Sequence, residues 1–224
     1  MIPATIHQTW KTADVPARFA ASAESWRTLH PAWEYRLWTD ESLEAFVHET
    51  YPEMWDLYRR YPEQIYRVDA ARYMLLHHFG GVYADLDIEC VRPVDALRVH
   101  RVVLPATAPL GFSNDLMMAA PRHDLFASLI HELDRSFARW GHSYVPRHFR
   151  VLLTTGSLHL SRTVARARAK DEVHVLSPDL YSSQDRERAY VYHWPGNTWA
   201  GWDTRLLTGT YDGWRRLTRI IARH

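Results

Sequence analysis

EQIYRVDAARYMLLHHFGGVYADLDIEC, residues 63–90, is the stretch on which the fold turns. Ile65, Val68, Arg72, Leu75 and Phe79 recur at helical spacing, so a helix is predicted over 63–79. Gly80-Gly81 supplies its stop, because glycine takes the left-handed backbone that closes helices without steric cost. Val82 to Val91 then reads as one strand, closed by Pro93. In an extended strand alternate side chains share a face. Tyr83, Asp85, Asp87 and Glu89 are therefore expected on one side, with Val82, Ala84, Leu86 and Ile88 on the other. A helix, a glycine stop and a strand ending in acids match the place where open α/β sheets bind ligands.

Working outward, residues 3–10 and 33–39 alternate as strands, and 19–29 carries Phe19, Ser22, Trp26 and Leu29 at helical spacing. Asp40 is expected to cap a helix reaching about Tyr51. Further strands are expected at 101–105, after a loop within 111–120, and at 173–176. One helix is predicted over 123–139, and another follows a turn at 154–157 as far as about Lys170. Residues 181–202 give few periodic cues and read as a loop region, and 211–224 reads as a basic amphipathic helix. Strands alternating with helices predict an α/β fold with a largely parallel sheet, built as one domain over 1–224.

Composition narrows the function classes. Lys and Arg total 27 against 26 Asp and Glu, which speaks against a dedicated nucleic-acid binder. A single cysteine, Cys90, excludes an intramolecular disulfide framework and a cysteine-rich zinc module. The N-terminal residues show no charged-then-apolar leader pattern, and no run approaches about 20 apolar residues. The expectation is a cytoplasmic protein or one on the cytosolic face of a membrane. Ten Trp and twelve Tyr exceed what a core of this size needs, and surplus aromatics suit flat or ring-shaped ligands.

The acids admit two readings. A solvated sheet edge is the plain one. The other is a hard-cation site, since Asp85 and Asp87 repel each other and a divalent ion between them relieves that repulsion. Asp69 and Arg72, three apart on the preceding helix, are either a surface ion pair or a grip on ligand hydroxyl and phosphate oxygens.

Three segments together resemble one family: IPATIHQTWK at 2–11, RVDAARYMLLHHFGGVYADLDIECVRPVD at 67–95 and HWPGNTW at 193–199. They are similar to glycosyltransferases of the DXD sugar-binding group. That group includes yeast-type initiating α-1,6-mannosyltransferases, inositol-phosphoceramide mannosyltransferases and bacterial capsule or lipopolysaccharide sugar transferases. The resemblance implies a GT-A fold, a Rossmann-like α/β/α sandwich, with residues 1–100 binding a nucleotide-sugar and 101–224 serving the acceptor and a closing loop. It also implies Mn²⁺ or Mg²⁺ as cofactor.

Carried over residue by residue, the resemblance makes Asp85 and Asp87 the DXD pair. Asp87 would be the metal ligand, and Asp85 would contact the donor or the metal's water. Asp69 and Arg72 would grip the donor sugar, and Trp10 would lie near the nucleobase with His7, Gln8 and Tyr83 on the donor side. His193 would be a late metal ligand and Trp199 a lid residue. Asn114, Asp115, Thr155 and Gly156 would face the acceptor, although Ser157 departs from the commoner Thr-Gly-Pro. Glu89 matches no role.

The implied reaction is transfer of a hexose, mannose first, from a GDP- or UDP-linked donor to a glycan or glycolipid acceptor. Anomeric configuration would be retained by front-side substitution. A nucleotide-sugar hydrolase and a catalytically silent carbohydrate-binding protein are the rival readings. Trp214, Leu217, Ile220 and Ile221 against arginines in the last helix suggest a peripheral membrane contact.

Overall fold

The computed structural model describes residues 1–107, 111–181 and 187–194. In chain order the elements are β1 (Thr5–Thr9), α1 (Ala17–Leu29), β2 (Glu34–Trp38), α2 (Asp40–Thr50), α3 (Trp55–Arg60), α4 (Gln64–Phe79), β3 (Gly81–Ala84) and β4 (Ile88–Cys90). They continue with β5 (Val102–Pro105), β6 (Leu116–Ala119), α5 (Asp124–His131), α6 (Leu133–Trp140), α7 (Arg147–Thr154), α8 (Ser157–Arg166), β7 (Val173–Leu176), α9 (Pro178–Tyr181) and β8 (Val191–His193).

Six strands form the central sheet in the order β2-β1-β3-β6-β5-β7. β1 is parallel to β2 and β3, and β5 is parallel to β7, while β6 is antiparallel to both of its neighbours. The fold is therefore α/β with a mainly parallel central sheet. Side-chain alternation divides its residues cleanly. Tyr83, Met117, Ala119, Val102 and Leu104 pack under the helices that include α2, α4, α5 and α8. Val82, Ala84, Leu116, Met118 and Val103 pack under Trp26 of α1, Leu176 and Tyr181. A sheet covered on both faces needs apolar residues at every position, as the central strands show.

The helix predicted from the opening stretch forms as α4, but its buried surface is wider than the expected stripe. Tyr66, Ala70, Ala71, Tyr73, Met74, Leu75 and Leu76 are buried, whereas Ile65, Val68 and Phe79 are only partly so. α4 lies between the sheet, α2 and α5, so several of its faces meet protein. Gly80 (φ 67°) caps it, with its N–H on the Leu76 carbonyl at 3.0 Å. Gly81 (φ 93°) enters β3 so close to β1 that a Cβ there would stand 2.5 Å from the Thr5 oxygen.

The single strand expected over 82–91 is instead two. β3 ends at Ala84, the Ile88 N–H closes a turn onto the Asp85 carbonyl at 3.0 Å, and β4 pairs with β8 in a separate two-stranded sheet. Asp85 and Asp87 thus occupy a bend, and the shared strand face of Tyr83 to Glu89 does not exist. Three smaller expectations also change. Thr39, not Asp40, caps α2 through a reciprocal box with Ser42. The helix at 123–139 breaks at Glu132 into α5 and α6. The residues just before the 154–157 turn form α7. Beneath the bend, the buried Trp26 indole donates to the Ile88 carbonyl at 2.8 Å and fixes α1 to β4.

Candidate functional site

β1 and β3 run side by side, with His7 opposite Tyr83, and the chain beyond both carboxyl ends opens into a cleft of about 530 Å³. Trp10, Lys11, Asp85, Leu86 and Asp87 come from the strand ends, Arg72 and Val68 from α4, and Arg147 from α7. Their meeting follows from the topology: a parallel β1–β3 pair delivers two strand ends to the same edge, and α4 leads straight into β3.

Arg72 organises the floor. Its guanidinium lies 3.0 Å from Asp69 Oδ1 and 3.3 Å from Asp85 Oδ1, and it donates to Asp85 Oδ2 at 3.4 Å and to the Asn114 carbonyl at 2.6 Å. It also lies 4.6 Å over the Tyr83 ring. Burial alone would loosen its proton, but Asp85, Tyr83 and Asp69 reverse this and raise its pKa. Asp69 in turn accepts from Arg72, from Asn114 Nδ2 at 3.0 Å and from Thr155 Oγ1 at 3.1 Å. Burial still holds its carboxyl above the ordinary range.

The acids differ in access, and that difference separates their uses. The Asp69 side chain keeps 5% of its surface, against 31% for Asp85 and 21% for Asp87. Asp69 is therefore a brace behind Arg72, while Asp85 and Asp87 can meet a ligand. Tyr83 donates to Asp85 Oδ1 at 2.7 Å and is itself 3.0 Å from Thr9 Oγ1. Burial, with repulsion from Asp87 and Asp115, pushes the Asp85 carboxyl up to about 7 against the pull of Arg72.

His193 closes the other side. Nε2 is 3.5 Å from Asp87 Oδ2 and Nδ1 is 3.6 Å from Asp115 Oδ2, so the ring bridges two acids. Burial would lower its pKa, but Asp87, Asp115 and Asp85 raise it to about 9. Tyr181 donates a hydrogen bond to Asp115 Oδ2. Asp115 Oδ1 is buried and has no hydrogen-bond partner among the described residues.

Among the described residues no three His, Cys, Asp or Glu side chains form a ready cage for a metal. The donor set nonetheless fits a hard divalent cation. Among the described residues, Asp69, Asp85, Asp87 and Asp115 form ion pairs with Arg72 and His193, which leaves four carboxylates facing two cationic side chains. Ions of this kind often bind through one or two carboxylates and take their other oxygens from phosphate and water.

The remaining expected residues divide into those at the cleft and those behind it. Trp10 is half-buried in the cleft wall, edge-on to Phe19 at 5.4 Å. His7 is buried away from it, with Nε2 3.1 Å from the Gly80 carbonyl and Nδ1 accepting from Trp38. Gln8 donates to the Asp85 carbonyl at 3.3 Å and accepts from Tyr35, so it sets the backbone at the bend. Asn114 and Thr155 both reach Asp69, and Gly156 opens α8. Trp199 and the helix expected at 211–224 lie outside the described residues. Glu89, matched to no role, accepts from the Trp194 indole at 2.8 Å.

Sequence reading missed Tyr181, which holds Asp115, and the Arg147–Glu63 pair across the cleft. No local pattern marks either one, because both partnerships join residues 66 or more apart.

The family described as the glycosyltransferase sugar-binding region containing a DXD motif matches residues 16–104. Inositol phosphoceramide mannosyltransferase 1 of Schizosaccharomyces pombe is 36% identical over 212 residues, covering 92% of this chain and 65% of that protein. Mannosyl phosphorylinositol ceramide synthase SUR1 of Saccharomyces cerevisiae is 40% identical over 212 residues, covering 92% and 54%. The chain thus spans between about half and two thirds of the length of these relatives. Among solved structures, the UDP-bound glycosyltransferase domain of the YGT toxin shares the fold. Its TM-score is 0.55 at 10% identity, covering 85% of this chain and 82% of that one.

Proposed function

The chain belongs to the glycosyltransferase family defined by a DXD-containing sugar-binding region, and on that premise we propose that it transfers mannose from a nucleotide-linked donor to a glycolipid acceptor with the aid of a divalent metal. Residues 1–100 supply the donor side and 101–224 the acceptor side. The observation that carries this reading is the graded acid cluster at the β3 end, in which a buried Asp69–Arg72 brace presents Asp85 and Asp87 to the cleft. The relatives are named for mannose transfer to inositol phosphoceramide, which favours mannose and a phosphate-bearing lipid headgroup.

Asp87 and Asp85, with His193 beside them, would hold the metal. When bound, it supplies positive charge to the departing nucleoside diphosphate. The chain's own groups do the rest. Arg72, braced from behind by Asp69, orients the donor sugar near the bend, and the Trp10 face offers a surface for the base. Asp69 is occupied by three donors and Asp85 by Arg72 and Tyr83, so neither is free to attack the sugar. Substitution at the anomeric carbon is proposed to be front-side. The bond from the anomeric carbon to the diphosphate oxygen breaks, the bond to the acceptor oxygen forms on the same face, and the acceptor's proton passes to the leaving phosphate.

The test is product formation from GDP-mannose and UDP-hexoses with an inositol-phosphoceramide acceptor, with and without Mn²⁺. Asp87→Asn is expected to lower turnover by roughly 10²–10³. Undiminished turnover in that variant, or without any divalent ion, would remove the metal from the reading. Release of free sugar in place of a glycolipid would make the protein a hydrolase.

A further inference from the structure

Charge in this chain is not evenly distributed. From Arg135 to Lys170 there are eight Arg or Lys residues and no Asp or Glu, although the whole chain is nearly balanced. The rest of the chain therefore carries an acidic excess. This segment comprises most of α6, all of α7 and α8, and the turn that follows.

Five of these eight basic groups gather in space. Arg135, Arg162, Arg166 and Arg168 line one cleft of about 590 Å³, separate from the acid site. Arg162 is held in place by donating to Ser136 Oγ at 2.9 Å and to the Leu153 carbonyl at 3.2 Å. Arg166 and Arg139 lie near enough to Arg162 to help burial lower its pKa. Asp124 and Glu132 also line this cleft, and Glu132 pairs with Arg135 at 2.6 Å. Among the described residues, Arg139, Arg150, Arg162, Arg166, Arg168 and Lys170 form no ion pair.

The same segment exposes apolar side chains. Tyr144 is 78% exposed, Phe149 38% and Leu158 36%. Basic residues interleaved with exposed aromatic and aliphatic ones suit a surface that is anionic outside and apolar beneath. A polynucleotide would use the charges and leave the aliphatic group without a purpose. The segment also reaches the acid site, because Arg147 of α7 lines the donor cleft.

We propose that the Arg135–Lys170 face docks this protein on an anionic lipid bilayer, with headgroup phosphates entering the arginine cleft and Tyr144 and Phe149 meeting the interface. The proposal rests on the proposed function in one respect only, that the acceptor is a lipid and must be reached at a membrane. Docking on this face would put the Arg147 side of the donor cleft next to the layer that holds the acceptor.

The experiment is co-sedimentation of the full chain with pure phosphatidylcholine vesicles and with mixed phosphatidylcholine–phosphatidylserine vesicles, in the absence of donor and glycolipid. Preference for the anionic vesicles that weakens with salt is expected. Arg166→Gln/Arg168→Gln/Lys170→Gln, three exposed residues outside the acid site, should lower partitioning roughly a hundredfold. Tyr144→Ser should weaken it further. Each variant's melting temperature, and its stabilisation by GDP or UDP with Mn²⁺, should match the wild type. Equal binding to both vesicle types, or wild-type partitioning by the triple variant, would overturn the proposal. So would binding to poly(U) RNA without binding to either vesicle. If the wild type docks on vesicles but no nucleotide stabilises it, the docking surface stands and the functional reading fails.

Discussion

Replacing Arg72 with methionine keeps most of the aliphatic stem and removes the guanidinium that faces Asp69 and Asp85 at 3.0 and 3.3 Å. Asp69 is buried, so its charge would be left with only the Asn114 and Thr155 donors. Breaking a buried pair from one side costs about 3–5 kcal/mol, mostly the desolvation of the charge left behind. For a chain of this size that is a fall in melting temperature of roughly 6–20 °C. Arg72→Lys should lie between, because an ammonium cannot span both acids and the Asn114 carbonyl as the planar fork does. Arg72→Met combined with Asp69→Leu should recover part of the loss, since no buried charge then lacks its partner. The sign with pH is definite. Without Arg72 the carboxyls titrate higher, so the deficit is full near neutrality and shrinks as falling pH protonates Asp69 in the folded variant. Melting curves of the three variants at neutral and mildly acidic pH are the assay. An Arg72→Met protein that melts with the wild type at neutral pH would refute the reasoning, as would a deficit that does not shrink on acidification.

Two further outcomes concern the scaffold. His7 and His159 are buried neutral, with burial lowering both to about 4, so between pH of about 6.5 and about 4 the unfolded chain takes up protons that the native state refuses. Stability is therefore full above that window and falls with pH by about 1.4 kcal/mol per unit for each histidine. Urea midpoints across the window should show this slope, and His7→Gln should reduce it. Gly81→Ala places a Cβ 2.5 Å from the Thr5 oxygen at a φ of 93°, so it should cost about 2 kcal/mol or more by parting β1 from β3. A denaturant midpoint equal to the wild type's would show that β1 gives way more easily than this spacing implies.

Much of the fold was legible because it depends on local pattern. The spacing of 63–79, the Gly80-Gly81 stop and the alternation of 3–10 each report a helix, a cap or a strand over a few residues. What was not legible depends on partners distant in the chain. β4 leaves the line of β3 because β8, about a hundred residues later, offers it a mate. The breadth of burial on α4 reflects α2 and α5 packing against it. Nothing in 63–79 alone distinguishes a helix with one inner face from a helix with several.

The acids show the same division. The resemblance brings Asp69, Asp85 and Asp87 to one site, whereas sequence spacing treats Asp85 and Asp87 as neighbours on one strand face. The bend at 85–87 gives them different surroundings. Asp85 stays under Tyr83 and Arg72, while Asp87 turns toward His193. One residue type thereby takes three positions, a sealed brace at Asp69, a carboxyl at Asp85 held by Arg72 and Tyr83 and drawn up to about 7, and a carboxylate at Asp87 set against His193 at the cleft. The strand face that first suggested a metal site is absent, and a bend takes its place. A flat ladder would set the two carboxylates in equivalent environments. The turn instead lets Asp85 be anchored by Arg72 and Tyr83 and sets Asp87 against His193.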